Sequence, residues 1–172
     1  MPLTLAAPTP DDAGPWFDFV VAQQAAAYAG IVPDDFAARQ GAYRPRWVPG
    51  LAAAFAEPGT ARRVVAKADG ALVGLASIVD APQAWEDAAA YVPAPAGRQL
   101  ERLYVDPQWH GRGLGTSMLE RIDDGRGLYL WLIDGNFAAQ AYYRRRGFAD
   151  LGEVFRTDAS WGSVAMHRML RP

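Results

Sequence analysis

The segment from Leu103 to Leu119 constrains this chain more than any other, because it runs from an apolar strand through alternate glycines into an amphipathic helix. Glycine occupies positions 111, 113 and 115, where that helix begins. The first turn of a helix carries backbone N–H groups without internal partners, together with a partial positive charge. Without side chains at these positions, a bulky anion can reach the amides directly. The segment therefore predicts a phosphate group held by backbone.

Composition and charge narrow the functional classes. The chain has 172 residues, no cysteine, two histidines and a formal net charge of −2. This length predicts one domain over residues 1–172. The basic residues are scattered apart from the run Arg144–Arg146, which argues against nucleic-acid or membrane partners. The lack of cysteine excludes disulfides and thiolate catalysis, and two histidines distant in sequence argue against a metal site.

Nothing in the sequence resembles a membrane or export segment. No apolar run reaches the roughly 18 residues of a membrane span, and the first residues lack a basic-then-apolar signal. We therefore expect a cytoplasmic protein. The sequence leaves open whether it is a monomer or a homodimer.

The pattern of apolar residues, turns and caps predicts a mixture of strands and helices. We expect strands over residues 3–7, 60–67, 71–79, 99–105, 127–133, 148–157 and 163–170. We expect helices over residues 10–28, 48–57, 112–123 and 137–146, and a short one from residue 33. The Asp69-Gly70 pair between two β-branched runs predicts a hairpin turn. Residues 81–97, with three prolines, predict a long loop of the kind that forms lids or binding loops.

In the predicted helices 112–123 and 137–146, the spacing of the residues shows which side chains share a face. The first is predicted to pack on the sheet through Leu114, Met118 and Ile122. In the second, the predicted core stripe consists of Ala138, Ala141 and Tyr142. A separate face, suited to contact a ligand, joins Asn136, Ala139 and Tyr143.

Both segments together resemble a known family. The block Leu100–Leu119, with its His-Gly-Arg-Gly-Leu-Gly turn, and the later Asn136-x-x-Ala-x-x-Tyr-Tyr-x-x-x-Gly-Phe pattern are similar to motifs A and B of the GNAT superfamily of acetyl-CoA-dependent N-acetyltransferases. In that family motif A holds the CoA pyrophosphate, and motif B packs against the pantetheine arm and supplies a tyrosine beside the sulfur. The resemblance is strong over residues 99–148. It implies a mixed α/β fold with a mostly antiparallel, centrally splayed sheet of about seven strands, flanked by about four helices.

The resemblance also implies acetyl-CoA as the co-substrate, no metal, and cofactor contacts from three elements. The strand before the turn contributes Leu103, Tyr104 and Val105. The turn and the start of its helix contribute His110, Gly111, Arg112, Gly113, Leu114, Gly115 and Thr116. The second motif contributes Asn136, Ala139 and Tyr143.

The chain departs from the family pattern at three places. His110 stands where the family prefers Arg or Gln, which leaves the backbone cradle intact. Trp131 occupies the strand position where some members place a catalytic glutamate. The run Arg144–Arg146 stands where an apolar helix end is more usual. This run is either a solvated helix end that complements the helix dipole or a contact for the CoA 3′-phosphate.

Acyl transfer from a thioester to an amine needs a neutral amine, a stabilised oxyanion and a proton for the leaving thiolate. The family resemblance implies that a backbone N–H of the strand Leu103–Val105 stabilises the oxyanion. Tyr143 is the candidate acid, because a phenol stays protonated at neutral pH. Glu101 is the candidate base, since strand alternation puts this carboxylate on the face of Leu103 and Val105. Two alternatives stay open: water serves as the base, or Glu101 only pairs with Arg98 or Arg102.

The acceptor is expected to be a small molecule with one primary amine. The residues expected around it are mainly aromatic: Tyr28, Trp47, Trp85, Tyr91 and Trp161. Acidic residues expected nearby are fewer, namely Asp34, Asp35, Glu86 and Asp87, whereas a polyamine or aminoglycoside would need a dense carboxylate surface.

A non-catalytic acyl-CoA-binding or sensor domain remains an alternative, as does an acetyltransferase for protein N-termini or lysines. A dinucleotide-binding motif is excluded, because Thr116 occupies the place of its last glycine.

Overall fold

The computed structural model describes residues 2–89, 91 and 93–172, and this part contains eight strands and six α-helices. The strands are β1 (Leu3–Ala6), β2 (Arg62–Ala68), β3 (Ala71–Asp80), β4 (Arg98–Val105), β5 (Leu128–Ile133), β6 (Ala149–Asp150), β7 (Phe155–Arg156) and β8 (Ala165–Arg171). The helices are α1 (Ala13–Ala27), α2 (Phe36–Gly41), α3 (Arg44–Ala56), α4 (Ala84–Ala88), α5 (Leu114–Ile122) and α6 (Phe137–Arg144). The predicted mixed α/β fold is confirmed, with more helices than the expected four.

All strands join one sheet, which is antiparallel everywhere except at its centre. The strand order is β1-β2-β3-β4-β5-β8-β6, and β7 pairs with another part of β8. The central strands β4 and β5 are parallel and share a single paired position, Gln99 with Tyr129. Beyond this pair the two strands diverge and leave a cleft in the middle of the sheet. The predicted central splay is therefore confirmed.

A β-bulge in β4 changes which residues share a face. Ser77 of β3 pairs with Arg102, but the next residue, Ile78, pairs with Leu100, so Glu101 is the extra residue. A bulge of this kind interrupts the strict alternation of side chains. Leu100 and Leu103 pack in the core beneath α5. Glu101 instead accepts a hydrogen bond from Ser77 on the opposite face, so its predicted alternation with Leu103 and Val105 is wrong.

Apolar side chains on the two faces of the sheet form separate cores. On one face α5 buries Leu114, Met118 and Ile122, as the spacing predicts, against β2–β5 and β8. On the other face α1 and α3 pack on β2 and β3. A third cluster joins α2 to β5 and β8, near the end of the cleft. The cleft therefore lies between three hydrophobic clusters.

The faces of α6 differ from the prediction. Ala138 and Ala141, expected in the core, are exposed, and Tyr142 is half-buried. Ala139 and Tyr143 pack against the core that α5 also covers. Contacts with the sheet decide this rotation, because Gln140 and Arg144 on α6 also bind Asp150 of β6. The face predicted to contact a ligand thus also anchors the helix.

Several other helices and strands begin or end at residues that differ from the predicted ones. Residues 84–88 form α4 inside the segment predicted as loop 81–97, of which residues 90 and 92 lie outside the described residues. The strand predicted over residues 148–157 consists of two short pieces, β6 and β7. α3 begins at Arg44, with Pro45 in its first turn, where proline is tolerated because no N–H partner is needed. No described helix has the length and apolar character that crossing a bilayer requires.

Replacing Met118 tests the packing of α5 on the sheet. The side chain is fully buried, so Met118→Ala leaves a cavity, and we expect the free energy of unfolding to fall by about 2–5 kcal/mol. Chemical denaturation measures this difference. The neighbouring exposed Ser117→Ala serves as the control and should shift stability by less than about 0.5 kcal/mol. Equal stability of the two variants would contradict this packing.

Candidate active site

The turn before α5 presents a row of backbone N–H donors that have no partner among the described residues. Gly111 and Gly113 adopt left-handed conformations, with φ of 73° and 79°, which glycine reaches without steric cost. None of the backbone N–H groups of residues 111–116 donates a hydrogen bond to any described residue. These amides lie at the positive end of the α5 dipole. The turn therefore has the donors and the charge that a phosphate group needs.

Gly115 has a different role from the two glycines before it. A Cβ at this position would lie 3.2 Å from the hydroxyl oxygen of Tyr142 and 3.5 Å from Cγ2 of Val105. Glycine therefore allows the start of α5 to approach α6 and the end of β4 closely. This contact brings the three predicted cofactor-binding elements together.

The side chains of the turn fold back onto the protein. Nε2 of His110 lies 2.9 Å from the carbonyl oxygen of Val105, so the ring ties the turn to the end of β4. The guanidinium of Arg112 lies 5.4 Å from the centre of the Trp109 ring. His110 thus supports the cradle, in the place where the family more often has Arg or Gln.

The three arginines at the end of α6 separate into different environments. Arg144 forms an ion pair with Asp150, with 2.6 Å between Nη2 and Oδ2. Arg146 stacks on the ring of Tyr142 at 3.5 Å and donates hydrogen bonds to the Tyr142 carbonyl and to the hydroxyl of Thr116. The charge of Arg146 therefore lies beside the last free amide of the glycine turn. Arg144 fits the structural interpretation of the run, and Arg146 fits the phosphate-binding one.

Tyr143 lies on α6 and packs against the core that α5 covers, with its ring centre 5.6 Å from that of Phe148. Its hydroxyl makes no hydrogen bond with a described residue. Burial raises the pKa of Tyr143 well above its usual range, and the nearby hydroxyls of Tyr104 and Tyr142 raise it further. The phenol is therefore protonated throughout the neutral range. At the start of the same helix, Asn136 Oδ1 accepts the N–H of Ala139 at 3.2 Å, as expected for an N-cap.

Tyrosine hydroxyls connect the two faces of the sheet through the cleft. Tyr104, from the face opposite α6, accepts a hydrogen bond from Gln24 Nε2 at 3.1 Å. Burial raises the pKa of Tyr28 well above its usual range, with further contributions from Tyr104 and then Tyr143. The hydroxyl of Tyr104 thus influences the pKa of both Tyr28 and Tyr143. A reactive group in the cleft would be accessible from both sides of the sheet.

A cavity of about 550 Å³ lies on the Tyr104 side of the cleft. Helices α1 and α3, the segment around α4, and strands β4 and β5 surround it. All five aromatic residues predicted around the acceptor line it: Tyr28, Trp47, Trp85, Tyr91 and Trp161. None of the acidic residues predicted there (Asp34, Asp35, Glu86 and Asp87) belongs to its described lining, which instead contains Glu101 and Asp158. The wall is therefore mainly aromatic, and its volume suits a small ligand.

The buried side chain of Glu86 holds Trp131, one of the residues that line the cavity, in place. Its buried carboxylate accepts hydrogen bonds from the hydroxyl of Tyr129 at 2.7 Å, the indole N–H of Trp131 at 2.7 Å and the backbone N–H of Gln83 at 2.7 Å. Hydrogen bonds to a carboxylate are among the stronger ones in proteins, so these three donors fix the side chain in place. The carboxylate thus binds the tryptophan that replaces the family's strand glutamate. The sequence signal was the Gln83-x-x-Glu86 capping box, which a loop assignment overlooks.

His167 on β8 makes a hydrogen bond through each of its two ring nitrogens. Nδ1 lies 2.5 Å from Oδ1 of Asp134, and Nε2 lies 3.0 Å from Oδ1 of Asp150. Asp150 also accepts hydrogen bonds from Gln140 and Arg144 of α6. The network ties α6 to β5 and β8. In the described part of the chain, no group of three or more metal-binding side chains lies close enough to hold an ion.

Sequence comparison identifies the family to which this fold and site belong. Residues 33–148 match the model of the acetyltransferase (GNAT) family, and the match includes both the glycine turn and α6. This is more than half of the chain, so the protein belongs to the GNAT acetyltransferase family, a family of acyltransferases. Among curated proteins no sequence match was found.

Solved structures share the fold at low sequence identity. PaiA N-acetyltransferase from Thermoplasma acidophilum, solved in complex with coenzyme A, is 19% identical over 99% of both chains, with a TM-score of 0.67. An acetyltransferase from Thermus thermophilus is 22% identical over 100% of this chain and 97% of that chain, with a TM-score of 0.62. A GNAT-family acetyltransferase from Staphylococcus aureus is 15% identical over 99% and 98%, with a TM-score of 0.66.

Proposed function

We propose that residues 1–172 form a single acetyltransferase domain that moves an acetyl group from acetyl-CoA to the primary amine of a small molecule. Transfer occurs by direct attack of the amine within a ternary complex. The observation that carries this proposal is the row of free amides at residues 111–116, which lies at one end of a cleft whose other side opens into the aromatic cavity. One end suits the phosphates of CoA and the other suits an acceptor.

The cofactor contacts follow from this arrangement. The amides of Gly111 to Thr116 hold the pyrophosphate, while His110 and Arg112 support the turn. Beyond Gln99, β4 has no paired neighbour on its β5 side, so the backbone of Leu103, Tyr104 and Val105 is available to the pantetheine arm and the thioester oxygen. Asn136 positions α6, whose Ala139 and Tyr143 border the same cleft. Arg146 adds a positive charge beside Thr116.

Tyr143 is the proposed acid. Its raised pKa keeps the phenol protonated at neutral pH, so it donates its proton as the C–S bond breaks and negative charge develops on sulfur. The hydroxyl makes no competing hydrogen bond with a described residue. A pure CoA-binding or sensor domain has no use for a phenol at this position, which favours an enzyme over that alternative.

Glu101 is the proposed base. The bulge turns its carboxylate onto the cavity face, and the hydrogen bond from Ser77 at 2.8 Å holds it there. A lysine-like amine costs about 4–5 kcal/mol to deprotonate at pH 7, whereas an α-amine costs about 1 kcal/mol. The cavity size supports a small acceptor over a protein N-terminus or lysine.

A charge in the glycine turn tests the cofactor assignment. Gly113→Glu places a carboxylate among the amides that hold the pyrophosphate, and we expect acetyl-CoA binding to become undetectable by calorimetry. Gly70→Glu is the matched control, because Gly70 in the β2–β3 turn has a similar φ of 82° and equally open surroundings. Both variants carry the same backbone strain of about 1–2 kcal/mol. Unchanged affinity in a folded Gly113→Glu variant would refute the assignment.

Removal of one hydroxyl tests the acid. In Tyr143→Phe the affinity for acetyl-CoA should persist, while kcat falls about 10²-fold or more. Tyr142→Phe on the same helix is the control and should retain kcat, since its hydroxyl faces α5. Full turnover by Tyr143→Phe, with chemistry rate-limiting, would leave Tyr143 as a packing residue.

The pH profile of a conservative variant tests the base. Glu101→Gln should lower kcat/KM about 10²-fold or more near pH 7, because the ammonium form of the acceptor then loses its proton only to water. As the pH rises towards the amine pKa, the acceptor deprotonates without help, so the difference from the parent enzyme should shrink. A deficit of constant size across the pH range would indicate that Glu101 only maintains the shape of the site.

A further inference from the structure

Two buried side-chain donors on the cavity wall have no acceptor among the described residues. Gln99, only 2% exposed, lines the cavity at the vertex of the cleft, and its side-chain nitrogen has no hydrogen-bond partner. The side-chain nitrogen of Gln40, on the same cavity, is also buried without a partner. A buried donor without an acceptor is unfavourable, because it has lost its hydrogen bonds to water. A ligand rich in acceptor oxygens would remove this cost.

Three arginines line the same cavity: Arg46, Arg63 and Arg102. In the described part of the chain none of them forms an ion pair. Arg63 donates to the backbone carbonyl of Ala54 at 3.2 Å, and Arg102 donates to that of Glu101 at 2.8 Å. Burial lowers the pKa of Arg63, which the charge of Glu101 only partly offsets. These guanidinium groups therefore retain donors for an anion.

The two carboxylates of the lining do not neutralise these charges. Asp158 accepts the backbone N–H of Ser160 at 2.7 Å and also its hydroxyl, so it is occupied within its own turn. Glu101 accepts from Ser77, and the bulge places it next to Arg102 on the cavity face. Glu101 and Arg102 are thus adjacent residues that both line the cavity, and their side chains form no ion pair with each other.

We infer that the acceptor is an α-amino acid with an apolar side chain, whose carboxylate is bound by Arg102 and whose amine faces Glu101. This inference rests on the proposed function. An α-amino acid carries its ammonium and carboxylate on one carbon, so the adjacent pair Glu101 and Arg102 complements both charges. A guanidinium binds a carboxylate through two parallel hydrogen bonds. The aromatic wall receives the apolar side chain.

The reaction balances without further reactants. Glu101 takes one proton from the ammonium group, and the neutral nitrogen attacks the thioester carbonyl carbon. The new C–N bond forms as the C–S bond breaks. Tyr143 gives its proton to the sulfur, and the nitrogen loses its second proton to restore the phenol. The products are the N-acetyl amino acid, free CoA thiol and one proton, which Glu101 releases to solvent.

Pairs of acceptors that differ only in the carboxylate test this inference. We would compare L-phenylalanine with phenethylamine, and L-leucine with 3-methylbutylamine, by release of CoA thiol. We expect the amino acid of each pair to have a kcat/KM at least about tenfold higher. In Arg102→Gln this preference should disappear, mainly through KM of the amino acid. Arg121→Gln, on the exposed side of α5, is the matched control and should keep the preference.

Binding without turnover separates this inference from the proposed function. The tryptophans of the cavity report ligand binding by fluorescence, so each acceptor can be titrated in the absence of acetyl-CoA. Arg102-dependent binding of phenylalanine without any CoA release would support the carboxylate site and refute the amine acetyltransferase. Release of CoA with phenethylamine or 3-methylbutylamine as the better acceptor would refute the carboxylate site alone. Highest kcat/KM with spermidine or kanamycin, or no binding of either amino acid, would also overturn it.

Discussion

The structure depends on a single paired position in the middle of its sheet. Gln99 of β4 and Tyr129 of β5 meet once, after which the two parallel strands separate. A parallel pair normally continues its hydrogen bonds along both strands. Among the described residues, the divergence leaves β4 without a paired strand on this side after Gln99, an unfavourable arrangement that a ligand in the cleft can relieve. The cradle, the tyrosine cluster and the aromatic cavity all border this opening.

Each side of the cleft is held by a different set of interactions. On the side of the glycine turn, Gly115 permits close contact between α5, α6 and β4, and the His167 network fixes α6 to the sheet. On the cavity side, the buried Glu86 binds both Tyr129 and Trp131, which ties the α4 segment to β5. The site is therefore supported by contacts on both halves of the sheet.

The sequence predicted correctly those elements whose structure depends on residues close together in the chain. The glycine turn, the Asp69-Gly70 hairpin, the Asn136 cap and the buried stripe of α5 each follow from a few neighbouring residues, and the structure has all four. The wrong predictions concern features that depend on residues distant in sequence but close in the folded protein. The core stripe of α6 was assigned to the wrong face, because its rotation depends on the sheet rather than on its own spacing.

Residue types at fixed spacing were enough to predict the family, the glycine turn that we propose binds phosphate, and the aromatic wall of the cavity. The way in which the charged side chains meet depends on tertiary contacts. The bulge that turns Glu101 beside Arg102 arises from pairing with β3, which strand periodicity does not reveal. The position of Arg146 beside Thr116 joins residues 30 apart along the chain. These pairings need the packed sheet, since no local rule brings such groups together.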